Sequence, residues 1–124
     1  MDDCKTTILY RRVGQKELEL VRDSGWCRFP PRLPSQPIFY PVLSEDYAIR
    51  IARDWNTKDP RSGYVGYVLR FRVRTEYLDR HEIHEVGGRE LREYWIAAEE
   101  IAEFNDNIIG PIDVIHEFRK QEEK

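Results

Sequence analysis

Sulfur is scarce in this chain of 124 residues, which holds two cysteines, Cys4 and Cys27, and one methionine. Two cysteines cannot build a disulfide framework, and neither belongs to a C-x-x-C pair, so a reduced, cytoplasmic protein is expected. Long apolar runs are also missing. No stretch approaches the roughly 18 apolar residues of a membrane-spanning helix. The opening Met1-Asp2-Asp3-Cys4-Lys5 is acidic with no apolar segment behind it, so neither a signal peptide nor a membrane partner is expected. Charge of one sign is lacking as well. The 20 Lys and Arg stand against 23 Asp and Glu for a net charge of −3, which argues against holding nucleic acid or membrane by bulk positive charge. There is no G-x-G-x-x-G, no Walker A sequence and no nucleophile elbow. His81 and His84 come nearest to a metal pair. At i and i+3 on a strand they face opposite sides, so they read as two surface histidines and no metal is expected. With neither repeat nor linker, the length predicts one domain over residues 1–124, with a core from about 6 to 118 and a polar tail from 119 to 124.

What is abundant is aromatic: three Trp, seven Tyr and five Phe. Position along the predicted elements sorts them. Thr6 to Arg11 reads as a first strand, broken by Gly14. Glu17 to Ser24 has helical spacing and Gly25 where a left-handed C-cap belongs. Trp26 to Pro37, with four prolines, is an extended loop; its P-x-x-P spacing reads as a rigid connection rather than a ligand motif. Ile38-Phe39-Tyr40 is a short strand. Ser44 N-caps the next helix, whose Ala48, Ile51, Ala52 and Trp55 form one face. Tyr64 to Arg74 alternates: Val65, Tyr67, Leu69, Phe71 and Val73 point to a core, and Arg70, Arg72 and Arg74 line a mostly wet face. Thr75 to Arg80 suits a helical turn, Glu82–Val86 and Glu93–Ile96 two strands, and Ala97–Asn105 a helix with Ile101 and Phe104 inward. Pro111 to Phe118 closes as a strand with Ile112, Val114 and His116 on one face. About six strands with two or three helices, helices early and strands late, define an α+β fold.

Three segments carry candidate chemistry. Leu9-Tyr10-Arg11 supplies a cation. Phe39-Tyr40, followed by the helix with Tyr47, Ala48, Ala52 and Trp55, supplies stacking rings. Arg92-Glu93-Tyr94-Trp95 supplies a carboxylate. A carboxylate among aromatics suits stabilisation of an oxocarbenium-like centre; the same residues also suit a strand edge and a core. The arginine stripe 70/72/74 suits either a phosphate backbone or a solvated face paired with carboxylates.

In the order of these features the chain resembles the ADP-ribosyltransferase superfamily, of the diphtheria-toxin and poly-ADP-ribose-polymerase kind, and its small bacterial toxin-like members. The resemblance runs from about Leu9 to Phe118. It includes the ending from Tyr94-Trp95-Ile96-Ala97-Ala98 through Phe104-Asn105 to Ile109-Gly110-Pro111-Ile112. It implies a split mixed or antiparallel sheet core with short helices and an NAD-dependent transfer of ADP-ribose, with release of nicotinamide, to a protein or nucleic-acid acceptor, of which the protein is the one expected. NAD would be the substrate. Arg11 would hold its phosphate or ribose oxygens, Tyr40 with Tyr47 or Trp55 would stack around the nicotinamide, and Glu93 would be catalytic. Two departures matter. Tyr40-Pro41-Val42 stands where many members have a Ser-Thr-type motif, and Leu91 stands two residues before Glu93 where arginine-directed members have Gln or Glu. Glu90 is the rival carboxylate. A non-enzymatic binding or regulatory module on the same fold is the alternative, and a nucleic-acid binder using the arginine stripe is a third. Phe71, Tyr67 and Phe104 are expected in the core; Tyr40, Tyr47, Trp55 and Tyr94 are expected around the nicotinamide.

Overall fold

The computed structural model describes residues 5–32, 36–87 and 91–120. Cys4, Pro34 and Glu90 lie outside them. The architecture is α+β. Its centre is a three-stranded antiparallel sheet in the order β1 (Thr6–Val13), β3 (Val65–Arg74), β7 (Ile108–Arg119). Two short pairs flank it: β2 (Ile38–Phe39) with β6 (Ile96–Ala97), and β4 (Ile83–Glu85) with β5 (Arg92–Tyr94). One residue, Val42, joins them to the centre. It bridges Tyr10 on one side and Glu93 on the other. The seam holds four backbone hydrogen bonds: Tyr10 and Val42 exchange two, at 2.9 and 2.8 Å, Leu43 donates to Arg92 at 3.1 Å, and Tyr94 donates to Pro41 at 2.9 Å.

The period of two along β3 creates two unlike faces. Val65, Tyr67, Leu69, Phe71 and Val73 are buried on the first, with Leu9 and Val13 of β1 beside them. Helix α1 (Gln15–Asp23), the 26–32 loop, α3 (Thr75–Leu78) and α4 (Ile101–Asp106) supply Val21, Phe29, Tyr77, Leu78, Ile101 and Phe104 to this core. Four phenylalanines meet there: Phe29 lies 5.0 Å from Phe39 and 4.9 Å from Phe71, and Phe39 lies 5.2 Å from Phe104, all tilted or edge-on. Each buried ring contributes about 1.5–3 kcal/mol relative to an exposed one. Asn105 pins the proline-rich loop to α4. Its amide donates to the Phe29 carbonyl at 2.9 Å and accepts from the Phe29 N–H at 2.8 Å.

Helix α2 (Glu45–Asp54) covers part of the second face. Ser44 caps it, accepting from the Tyr47 N–H at 3.2 Å, while Glu45 and Asp46 meet the positive end of the dipole. Ala48 and Ala52 pack on Val42 and Val68. Gly66 makes the approach possible, because a Cβ there would stand 2.4 Å from the Ala52 carbonyl oxygen. The expected wet face of β3 is therefore dry over Gly66 and Val68, and open only at Arg70, Arg72 and Arg74.

Several expectations need correction. Trp55 does not join the apolar face of α2; it stands at the C-cap and is 72% exposed. Along β7 the expected alternation fails, because the register shifts opposite Val68 and Leu69, which pair with His116 and Val114. Ile115 is the inserted residue, so Val114 and His116 leave opposite faces. The expected polar tail begins too early. Arg119 ends β7, and the Lys120 N–H donates to the Tyr64 carbonyl at 3.0 Å. His81 is 16% exposed and contacts Glu100 at 2.5 Å through Nε2, and His84 stacks on Trp95, so neither is a free surface histidine. Among the described residues, no helix is long and apolar enough to cross a membrane.

Candidate functional site

Register decides which side chains meet. Tyr10, Val42 and Glu93 stand opposite one another in consecutive strands, so all three leave the second face. Two residues along, Arg12, Tyr40 and Trp95 leave the same face by the period of two. Arg11 therefore leaves the first face, between Leu9 and Val13. The guanidinium of Arg11 is 6% exposed and binds Glu17 of α1 bidentately, Nε to Oε2 at 2.6 Å and Nη2 to Oε1 at 2.9 Å. It also lies 4.4 Å above the centroid of Phe39. Burial alone would push the Glu17 carboxyl up, but the charge and hydrogen bonds of Arg11, with the charges of Arg32 and Arg12, hold it below the ordinary carboxylate range. The structure thus places Arg11 across the sheet from Glu93, in an internal ion pair.

Glu93 is 8% exposed, its Oε1 accepting from the Trp95 indole N–H at 3.0 Å. Tyr47 approaches from α2. Burial raises its hydroxyl above the ordinary value, and the charge of Glu93 and a hydrogen bond to it raise it further. Tyr40 meets Trp95 edge-on, 6.2 Å between centroids, and His84 stacks flat on Trp95 at 3.7 Å. Trp95 and Tyr47 thus hold the Glu93 carboxylate directly, with Tyr40 and His84 packed against Trp95. Tyr94, expected beside them, is 6% exposed in the core of the first face, where burial and then the charge of Asp79 raise its hydroxyl.

Beside Tyr47 a cleft of about 980 Å³ opens between α2, the 56–61 turns, Arg12 and Leu91. Tyr47 and Trp55 both line it. Its cations are Arg12, Arg50, Lys58 and Arg61, against Asp54 and Asp59. The two carboxylates are engaged elsewhere: Asp54 with Arg53 at 3.0 Å, and Asp59 accepting from the Arg61 N–H at 2.9 Å. Among the described residues, no carboxylate lies within 4.0 Å of any of the four cleft cations. Partial desolvation, and the charge of the neighbouring Arg11, lower the pKa of Arg12.

Two functional candidates escaped the sequence reading. Arg12 is the first. Ending the strand at Arg11 hid it; extending the strand to Val13 puts Leu9, Arg11 and Val13 on one side and Arg12 on the other. Arg32 is the second. Its side chain is 9% exposed, reaches Glu17 only at 3.9 Å, and leaves Nε buried without a hydrogen-bond partner. Burial, then the charge of Arg11, lowers its pKa. Two guanidiniums, Arg11 and Arg32, thus share the Glu17 carboxylate on the first face, with the charge of Arg12 acting on it from across the sheet, and nothing in the sequence pattern of the loop signals that. The cluster carries surplus positive charge suited to an anion. Among the described residues, no group of three or more His, Cys, Asp and Glu could hold a metal ion. Compared with protein-family models, curated proteins and solved structures, the chain matches none of them.

Proposed function

We propose that the chain is an NAD-dependent ADP-ribosyltransferase with Glu93 as its catalytic carboxylate. The observation that carries this reading is a nearly buried carboxylate, held by an indole N–H and by Tyr47, whose ring also lines a neighbouring cleft with Trp55 and with Arg12, a guanidinium that meets no carboxylate among the described residues. Each part matches a part of NAD. The pyrophosphate needs charge-assisted donors, and Arg12, with Arg50, Lys58 and Arg61 lining the same cleft, offers them. The flat nicotinamide needs rings, and Tyr40, Tyr47 and Trp55 offer them. Positive charge develops at the ribose C1′ in the transition state, and Glu93 lies in surroundings of low dielectric where its charge acts strongly on it.

In the reaction the bond between C1′ and the nicotinamide nitrogen breaks, and its electron pair leaves with nicotinamide. The acceptor lone pair forms the new bond to C1′, and the acceptor proton passes to solvent. The indole N–H of Trp95 and the hydroxyl of Tyr47 position Glu93, and the closed face beneath it excludes water from one side. Arg11 has no contact with NAD in this reading and acts as a structural ion.

Glu93→Gln tests it. The amide oxygen still accepts from Trp95, so the fold persists. Nicotinamide release from NAD is expected to fall by about 10²–10³-fold, the scale for removing one preorganised electrostatic group. Unchanged release at an unchanged melting temperature would overturn the assignment of Glu93. Absence of both NAD binding and nicotinamide release in the unaltered protein would overturn the class.

A further inference from the structure

We infer that the open end of the second sheet face binds single-stranded nucleic acid, and that under the ADP-ribosyltransferase reading, on which this rests, such a strand is the acceptor. The inference starts from a row of residues. Asp113, Arg70, Tyr10, Val42, Glu93 and His84 pair in succession across the sheet. Arg70 therefore stands on the same face as Glu93, three strand spacings away, or about 14 Å. From there Arg72 and Arg74 continue the stripe beyond the start of α2, all three exposed. Alternate residues of a strand are about 6.6–6.8 Å apart, a spacing close to that of successive phosphates in an extended strand.

Arg70 and Arg72 are weakly neutralised among the described residues. Arg70 meets Asp113 only at 4.0 Å, with both side chains about half exposed, a geometry that contributes little. Among the described residues, Arg72 has no ion pair or side-chain hydrogen bond. On the other side of Glu93 the stacked pair of His84 and Trp95 offers an aromatic surface, with Trp95 43% exposed. Guanidiniums for phosphates and rings for bases, on one face and with the candidate carboxylate between them, are the two components of single-strand binding. The regular spacing of the guanidiniums suits a repeating polyanion. The net charge of −3 does not oppose this, since a local row of guanidiniums can attract phosphates whatever the net charge of the chain.

The test uses two oligonucleotides of one mixed sequence, as DNA and as RNA, titrated at 50 and 200 mM salt. The full chain is expected to bind at least one of them with a steep salt dependence. Arg70→Gln with Arg72→Gln should weaken binding at least tenfold at 50 mM and reduce the salt slope by about 1.4, at about 0.7 per phosphate contact on a single strand. Arg70→Lys with Arg72→Lys, which keeps the charge, should stay within about threefold. Nicotinamide release to water should not change in either variant, while label transfer from NAD to the oligonucleotide should fall at least tenfold in the Gln pair. No binding at 50 mM, binding untouched by the Gln pair, or label passing only to protein in an extract would overturn the inference. The two readings fail separately. Nicotinamide release without oligonucleotide binding removes the stripe and leaves the enzyme. Binding through the stripe without nicotinamide release removes the enzyme and leaves a nucleic-acid-binding face.

Discussion

Arg11 and Arg12 are neighbours in the chain and opposites in the fold. On the first face of the sheet Arg11 is sealed beneath Phe39 and held bidentately by Glu17. On the second face Arg12 stands at the rim of a cleft with no carboxylate within ion-pairing distance among the described residues. The alternation of a strand sends consecutive side chains to environments that treat the same charge in contrary ways. A buried charge requires a partner, and its partner then becomes structural. An unpaired charge beside aromatic rings and a cleft is available for a ligand. The difference shows that a cation cannot be assigned to a site by its type and approximate place; the face it leaves from decides.

The largest effect should come from breaking the sealed side. Glu17→Gln leaves Arg11 and Arg32 together in the interior without an anion. Urea unfolding at pH 7 should show a loss of about 3–5 kcal/mol, the scale for removing one partner of a buried pair. The sign of its pH dependence follows from the lowered carboxyl of Glu17. The stabilisation is fully present above the ordinary carboxyl value of 4.5 and is lost as pH falls through the lower folded value. Repeating the unfolding at pH 3 should therefore narrow the gap between the variant and the unaltered protein; a gap that widens with acid would contradict the pairing.

A smaller effect sharpens the contrast. Arg12→Ala should leave stability within about 0.5 kcal/mol, as for surface positions free of partners. The same change should weaken NAD binding about tenfold or more, the loss of a charged hydrogen bond being about 1.5–3 kcal/mol. Arg11→Ala should show the reverse pattern, a large loss of stability. Calorimetric titration beside thermal melts distinguishes them, and the comparison fails if the two variants behave alike. The smallest effect concerns Trp95→Phe. It keeps a ring beside Tyr40 and His84 but withdraws the N–H from Glu93. Nicotinamide release should fall about tenfold with little change in the melting temperature; an unchanged rate would mean that Trp95 does not position the carboxylate.

Much of the fold was legible where one face of an element is wholly apolar. β3 showed its register in the sequence because Val65 through Val73 alternate without interruption, and Ser44 and Gly25 marked helix ends, one through its side-chain oxygen and the other through its left-handed backbone. β7 was misread because its inserted residue lies in the pairing, and pairing is a property of two strands. Trp55 was misread because helical spacing was continued one residue past the last turn. Of the candidate site, Tyr40, Tyr47, Trp55 and Glu93 were named from the sequence; Tyr47 meets Glu93, Tyr40 reaches it only through Trp95, and Trp55 lines the cleft with Tyr47. Arg12 and Arg32 were not named. One depends on where a strand ends, and the other on a loop whose position is set by Phe29 and Asn105, far apart in the chain.

The seam at Val42 has a consequence for how the molecule can deform. Arg12 belongs to the long ladder of β1, β3 and β7, and Glu93 to the short pair of β4 and β5; four backbone hydrogen bonds connect the two parts. The seam does not leave the two parts loose, because Phe39, Tyr94 and Ile96 of the short pairs are buried in the same core as Leu9, Leu69 and Phe71 of the long ladder. Cation and carboxylate thus stand on separate ladders whose relative position is locked by side chains on the opposite face.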